Sequence, residues 1–175
     1  IECIVACDVN PTALERVENH RISLHNDPLT LIEQFNLDSV IVATPNETHY
    51  DLGTMFLNKG DDVILEKPIA TTFDDASSLV STSIHEGKTL KCGFLLRFHP
   101  CIVDARTQIR LGRIGAVQSI RYSKNVQRQG DESSHALDTL AIHGVDLAEF
   151  LLDGQTPLRI SEVVGSRTSC ALTLE

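Results

Sequence analysis

Two short stretches carry residue types that could orient a hydroxyl and take its proton. Glu66-Lys67-Pro68 directly follows the apolar run Asp61-Asp62-Val63-Ile64-Leu65. A lysine immediately after a buried-type strand, with proline fixing the backbone behind it, places an ammonium at the edge of a sheet. There it could polarise a substrate oxygen or turn it toward a cofactor; a solvated lysine is the other reading. The second stretch is Thr139-Leu140-Ala141-Ile142-His143-Gly144-Val145-Asp146. On a helix His143 and Asp146 are three apart and share a face, so the carboxylate can orient the imidazole. Histidine titrates near neutrality, which suits a general base for a hydroxyl proton. A structural histidine on an amphipathic helix is the alternative. The remaining histidines, His20, His25, His49, His85, His99 and His135, show no such partner by periodicity.

These residues need elements to hold them, and the first half of the chain supplies a rhythm. Residues 2–7 predict a strand, and Asn10-Pro11 an N-cap with proline at the first position of a helix over about 11–19. A weak strand at 22–24 and a helix around 28–35 follow. Asp38 to Ala43 predicts a strand closed by Thr44-Pro45-Asn46, and 47–59 a helix stopping at Gly60. Residues 61–65 predict a buried strand, 72–86 a helix ending at Gly87, and 89–94 a further strand. Strands alternating with helices imply βαβ units and a parallel sheet. Ligands of such sheets bind at the carboxyl ends of the strands, which here are Asp8, Thr44-Pro45-Asn46, Glu66-Lys67-Pro68 and Gly93-Phe94. In a dinucleotide fold, an acid in the position of Asp8 accepts hydrogen bonds from ribose hydroxyls and repels a 2′-phosphate. A turn or capping acid before Asn10-Pro11 is the competing role.

The second half loses the alternation. We expect a helix over about 100–111 broken by Gly112 and Gly115, a long strand over 117–126, and a polar loop from Asn125 to Ser134. A helix over about 136–152 and a strand over 158–168 follow. The expected organisation is a partial dinucleotide-type domain over 1–95 and a partial α+β domain over 96–175 with an open, mainly antiparallel sheet.

Composition narrows the function classes. The chain has 175 residues with 15 Lys or Arg against 24 Asp or Glu, a formal charge of −9, two Tyr, six Phe and no Trp. That acidic, aromatic-poor balance argues against a stacking, basic surface for nucleic acid. No apolar run approaches the roughly 20 residues of a membrane span, and nothing at the start resembles a signal peptide. The five cysteines form no CxxC pair, which suits free thiols in a reducing compartment rather than a metal site. The expectation is a soluble cytoplasmic protein. The run Ile1 to Asp8 opens inside an apolar segment and the sole methionine is Met55, which suggests a processed chain or part of a longer one.

Taken together, the motifs resemble those of the Gfo/Idh/MocA oxidoreductases. Val40 to His49 is similar to the family's strand-end motif, with Pro45, Asn46 and His49 in register. Val63 to Ala70 resembles its EKP motif, and Gly93 to Pro100 the segment that crosses into the second domain. Gly112-Arg113-Ile114-Gly115 and the His143 helix follow at family-like distances, so the resemblance runs from about residue 3 to 153. It implies a Rossmann-like fold and an NAD(P)-dependent oxidoreductase passing a hydride between nicotinamide and a sugar, cyclitol or similar secondary alcohol. Carried over by position, Lys67 orients the substrate hydroxyl and His143 takes its proton. Asp8, Thr44, Pro45, Asn46, His49, Glu66 and Lys67 would line the cofactor, and Arg97 would lie beside its nicotinamide end. Thr139 would join Lys67 and His143 at the substrate. NAD is expected ahead of NADP because no basic residue follows Asp8 closely. A homo-oligomer is expected of the full-length protein.

Two departures accompany the resemblance. Many members carry Asp four residues before the helix histidine, where this chain has Thr139; Asp138 is five residues away, turned by roughly 140° on a helix. Threonine can hydrogen-bond a hydroxyl but supplies no charge, so a nucleotide-binding regulator without turnover is an alternative, as is an inactive fragment. The glycine loop that admits a pyrophosphate and the strand before it are also missing from the sequence. In the order 3-2-1-4-5-6 that strand lies between the Asp8 and Thr44 strands, so two unpaired inner edges are expected.

Overall fold

A computed structural model describes residues 3–17, 21–123 and 141–153, together with the backbone of the strands at 160–165 and 170–174. The chain divides into two compact units, one formed by Ile1–Leu65 with Ala70–Lys91 and the other by Glu66–Ile69 with Cys92–Glu175.

The first unit has the expected parallel α/β construction. Strand β1 (Ile4–Cys7) pairs in parallel with β2 (Ile22–His25), Ile4 opposite Ile22 and Cys7 opposite His25. Strand β3 (Ser39–Val42) pairs in parallel with β4 (Asp62–Leu65), and β5 (Leu90–Cys92) hydrogen-bonds to β4. The two sheets are separate: among the described residues no ladder joins β1 to β3, the division expected from the strand order.

Local chemistry explains the helices between them. Helices α1 (Pro11–Leu14) and α2 (Pro28–Gln34) each start with proline, behind an Asn10 or Asp27 side chain that accepts a first-turn N–H. Helix α3 (His49–Lys59) and helix α4 (Phe73–Glu86) end at Gly60 and Gly87, whose φ of 93° and 64° few other residues would tolerate. Thr72 caps α4 by accepting from the Asp75 N–H. The core lies where α3 covers one face of β3 and β4 and α4 packs on α3: Leu57, Val63, Leu65 and Leu79 are completely buried. Gly53 permits this approach, since a Cβ there would stand 2.9 Å from Leu79 and 3.1 Å from Leu65. The alternate residues Ile41 and Ile64 are cross-strand neighbours on the opposite face and are exposed.

The second unit contains helix α5 (Pro100–Arg110), helix α6 (Ile142–Leu151) and an antiparallel hairpin of β6 (Ile160–Gly165) and β7 (Cys170–Leu174), with a register shift at Ile160/Glu162. Helices α5 and α6 pack together. The Arg106 guanidinium lies 4.1 Å from the Phe150 ring centre and pairs with Asp153, which also accepts from Arg110 Nε at 2.9 Å. Asp153 has a positive φ of 57°, uncommon for a non-glycine residue, at the end of α6.

Two expectations need correction. Helix α1 stops after Leu14 rather than reaching 19. None of its residues is buried, so no packing sustains further turns. The strand expected over 117–126 is absent from its described part, 117–123, which among the described residues has no ladder partner to satisfy an extended backbone. Residues 124–126, most of the Asn125–Ser134 loop and the start of the 136–152 helix lie outside the described residues.

Candidate functional site

Each unit presents part of what the sequence singled out. In the first unit, the turn after β3 is built by hydrogen bonds among its own residues. The chain leaves Val42, passes exposed Thr44 and Pro45, and enters a single 3-10 turn at Asn46–Thr48. Thr48 Oγ1 donates to the Pro45 carbonyl at 2.7 Å and lies 2.6 Å from Thr44 Oγ1. His49 has no exposed surface, and its Nε2 donates to the Thr44 carbonyl at 2.9 Å. The imidazole thus gives the turn its shape from beneath, while Thr44 and Pro45 supply surface. Asp8 is exposed at the end of β1, its Oδ1 accepting from the Asn10 N–H at 2.8 Å and its own N–H donating to the His25 carbonyl. The turn-forming role weighed for Asp8 is therefore real, and it fixes the carboxylate's direction. A hollow of about 430 Å³ lies nearby in sequence, between α1, β2 and α2, lined by Leu14, Leu24 and His25 among others. None of the residues chosen from the sequence lines it.

In the second unit three chain segments converge. The first is Glu66–Ile69, which belongs with this unit although it continues β4. Lys67 is half-buried, the Lys67–Pro68 bond is cis, and the Lys67 N–H donates to Glu66 Oε2 at 3.3 Å. The second is Cys92–Phe98. Gly93 leaves room for the Glu66 carboxylate, since a Cβ there would stand 3.1 Å from Glu66 Oε1. The third is α6, with His143 half-buried and Gly144 packed on Tyr122, where a Cβ would come within 2.8 Å of the ring.

Charge ties the segments together. Arg97 Nε donates to Asp146 Oδ1 at 2.9 Å and its Nη2 donates to the same oxygen; Asp146 is only 6% exposed. The rings of Phe94 and Phe150 each lie 5.4 Å from the Arg97 guanidinium carbon. The hydrogen bond to Asp146 pushes the Arg97 pKa further up, so the guanidinium stays charged throughout the physiological range. The Cys92 thiol is pushed up to about 11, first by burial and then by the nearby Asp146 and Glu66 carboxylates, against an opposing hydrogen bond from the Gly93 backbone. It is a neutral thiol at neutral pH.

The structure thus gathers Glu66, Lys67, Arg97 and His143 in one unit and Asp8, Thr44, Pro45, Asn46 and His49 in the other, while Thr139 lies outside the described residues. Asp146, read from spacing as the orienter of His143, accepts from Arg97 at Oδ1. Nothing in the sequence marks that pairing, because the two residues are 49 positions apart. Among the described residues no group of three or more His, Cys, Asp or Glu could hold a metal ion, and no helix is long and apolar enough to cross a membrane.

Comparison with known proteins adds an independent line. The family described as "oxidoreductase family, NAD-binding Rossmann fold" matches residues 1–94. Inositol 2-dehydrogenase 2 of Saccharopolyspora erythraea is 32% identical over 132 residues, covering 74% of this chain and 39% of that one. The scyllo-inositol 2-dehydrogenase (NAD(+)) of Bacillus subtilis is 28% identical over 136 residues, with 74% and 39% covered. In three dimensions, the scyllo-inositol dehydrogenase of Lactobacillus casei, solved with NAD(H) and scyllo-inositol, superposes with a TM-score of 0.75 at 20% identity, over 91% of this chain and 50% of that one. That likeness is one of fold. The chain spans less than half the length of the two inositol dehydrogenases it matches in sequence.

Proposed function

The chain belongs to the Gfo/Idh/MocA family of NAD-binding Rossmann oxidoreductases, and from that premise we propose that the protein containing it oxidises a secondary alcohol of a polyol, of the inositol class, with NAD. The observation that carries the proposal is the grouping of Lys67 and His143. The segment 66–69 departs from the sheet it continues and joins the unit that holds α6, so a cation and a candidate base share one scaffold.

The residues present fit the cofactor at two places. Asp8, exposed and held in direction by the Asn10 N–H, suits the two hydroxyls of the adenosine ribose and disfavours a 2′-phosphate. The exposed Thr44-Pro45 surface, stiffened by His49, offers a fixed wall for the dinucleotide, with Asn46 beside it. Bound NAD supplies the acceptor for the hydride of the carbinol carbon. This chain's residues do the rest. The Lys67 ammonium donates to the substrate oxygen and lowers the cost of charge building there. Neutral His143 accepts the hydroxyl proton as the carbonyl forms. Glu66, which receives the Lys67 N–H and rests on Gly93, holds the lysine's backbone in place. Thr139 would hydrogen-bond a further hydroxyl.

The test is an assay of the full-length protein with NAD and a panel of inositols and sugars, with Lys67→Ala and His143→Ala alongside. Each variant is expected to lose about 10²–10⁴ in kcat, the range for a positioned acid or base. NAD binding without reduced cofactor on any polyol, or variants indistinguishable from the unmodified protein, would refute the proposal.

A further inference from the structure

We propose that Arg97 and Asp146 are positioning residues for this reaction, their ion pair setting α6, and so His143, at one rotation and depth relative to the segment on which Glu66 and Lys67 rest. The inference depends on the proton-transfer role assigned to His143 above. Three observations support it.

Asp146 lies one helical turn after His143 on the same face of α6, so whatever fixes the Asp146 carboxylate also fixes the imidazole's point of attachment. That carboxylate is almost fully buried and accepts from both Arg97 Nε and Nη2 at a single oxygen. The guanidinium itself is held near two rings, Phe94 from its own segment and Phe150 from α6. Phe150 is four residues beyond Asp146, so α6 grips Arg97 at two points one turn apart.

The same segment runs back through Phe94 to Gly93, which the Glu66 carboxylate touches, and Glu66 receives the Lys67 N–H. Cys92 records the convergence, because its thiol feels the Asp146, Glu66 and Arg97 charges together. A continuous path of contacts therefore runs from Lys67 through Glu66, Gly93 and Arg97 to Asp146 and the turn that carries His143.

An ion pair suits this task better than an apolar contact. Apolar replacements of a buried pair often hold two elements together as firmly. They do so, however, at a range of rotations, whereas a planar guanidinium meeting one carboxylate oxygen admits a narrow set of geometries. Placement within a fraction of an ångström is what a proton transfer requires, and a displacement of about 1 Å can cost about 100-fold in rate.

The full-length protein carrying Arg97→Leu, Asp146→Asn or Arg97→Lys tests this by steady-state kinetics, calorimetric titration with NAD, and hydrogen exchange read by mass spectrometry. The expected result for Arg97→Leu and Asp146→Asn is a fall of about 100-fold in kcat with the NAD Kd within about threefold of the unmodified value. Amide exchange across 142–151 should quicken about tenfold while α3 and α4 keep their protection. Arg97→Lys, which retains the charge, should recover about a tenth of the lost rate or more. A loss of NAD affinity matching the loss of kcat would make Arg97 a cofactor contact and overturn the inference. So would unchanged exchange in α6, or unmodified kcat in Arg97→Leu when His143→Gln is inactive. If His143→Gln turns over normally, the proposed reaction falls and this inference with it, a result read without the Arg97 variants.

Discussion

The two units hold their candidate residues by different means. In the first, side-chain hydrogen bonds reaching no more than five positions along the chain shape the candidate turns: Asn10 N–H to Asp8, Thr48 to Pro45, His49 to Thr44. The same unit contains an apolar core of completely buried Leu57, Val63, Leu65 and Leu79. In the second, the fixing contacts are charged and distant in sequence, Arg97 to Asp146 across 49 positions and Arg106 to Asp153 across 47. The surface proposed for the dinucleotide can thus be assembled from local turns. Bringing a lysine and a histidine 76 positions apart in the sequence into one scaffold takes long-range pairs with directional preference.

The largest expected effect tests the core half of that contrast. Leu65→Ala removes a completely buried side chain between α3 and β4, and should lower stability by about 3 kcal/mol in a urea titration. A loss below about 1 kcal/mol would mean that the first unit is not held by its core. His49→Ala comes next. It leaves the Thr44 carbonyl without its buried donor and should cost about 2 kcal/mol. Calorimetry should show weakened NAD binding while the KM for polyol stays put; the reverse split would place His49 with the second unit's function.

A smaller effect, about 1 kcal/mol, is expected for Asp153→Asn, which loosens Arg106 and Arg110 together. Salt sharpens this comparison. Raising ionic strength to about 1 M, where charges are screened beyond about 3 Å, should reproduce part of the Asp153→Asn loss in the unmodified protein and leave the Leu65→Ala difference unchanged. Equal salt sensitivity of the two losses would erase the distinction between the units.

A last effect appears only in alkali. The Cys92 thiol ionises near 9.0 in the unfolded chain and about 11 in the folded one. Because the folded state keeps its proton longer, this stabilisation is full below about pH 9 and disappears as pH rises toward about 11. Denaturation midpoints of the unmodified protein should therefore fall faster over that window than those of Cys92→Ser. Parallel curves would mean that the thiol is not shielded beside Asp146 and Glu66.

Much of the first unit was legible in the sequence because its signals are local. Asn10-Pro11 starts a helix, Gly60 and Gly87 end two more, and the β-branched runs at 39–42 and 62–65 are strands. The length of α1 was not legible, because a helix persists only where packing rewards it and α1 has no fully buried residue. Residues 117–123 have the alternation of a strand without, among the described residues, the neighbour that would make them one. Asp146 shows the same limit at the site. Helical spacing correctly puts it on the His143 face, but spacing along one helix says nothing of an arginine arriving from another segment.

The sequence by itself determined the strand-end turns and the caps, and singled out the residues proposed to move a proton, because these depend on side-chain chemistry and on neighbours within a turn or two. It also carried the family, through motifs whose order survives without coordinates. The tertiary structure alone decided that segment 66–69 joins the second unit, that His49 shapes a turn from inside, and that Arg97 is paired with Asp146. The reason is physical: a buried charge must find its partner wherever the fold brings one, and that place is fixed by packing rather than by position along the chain.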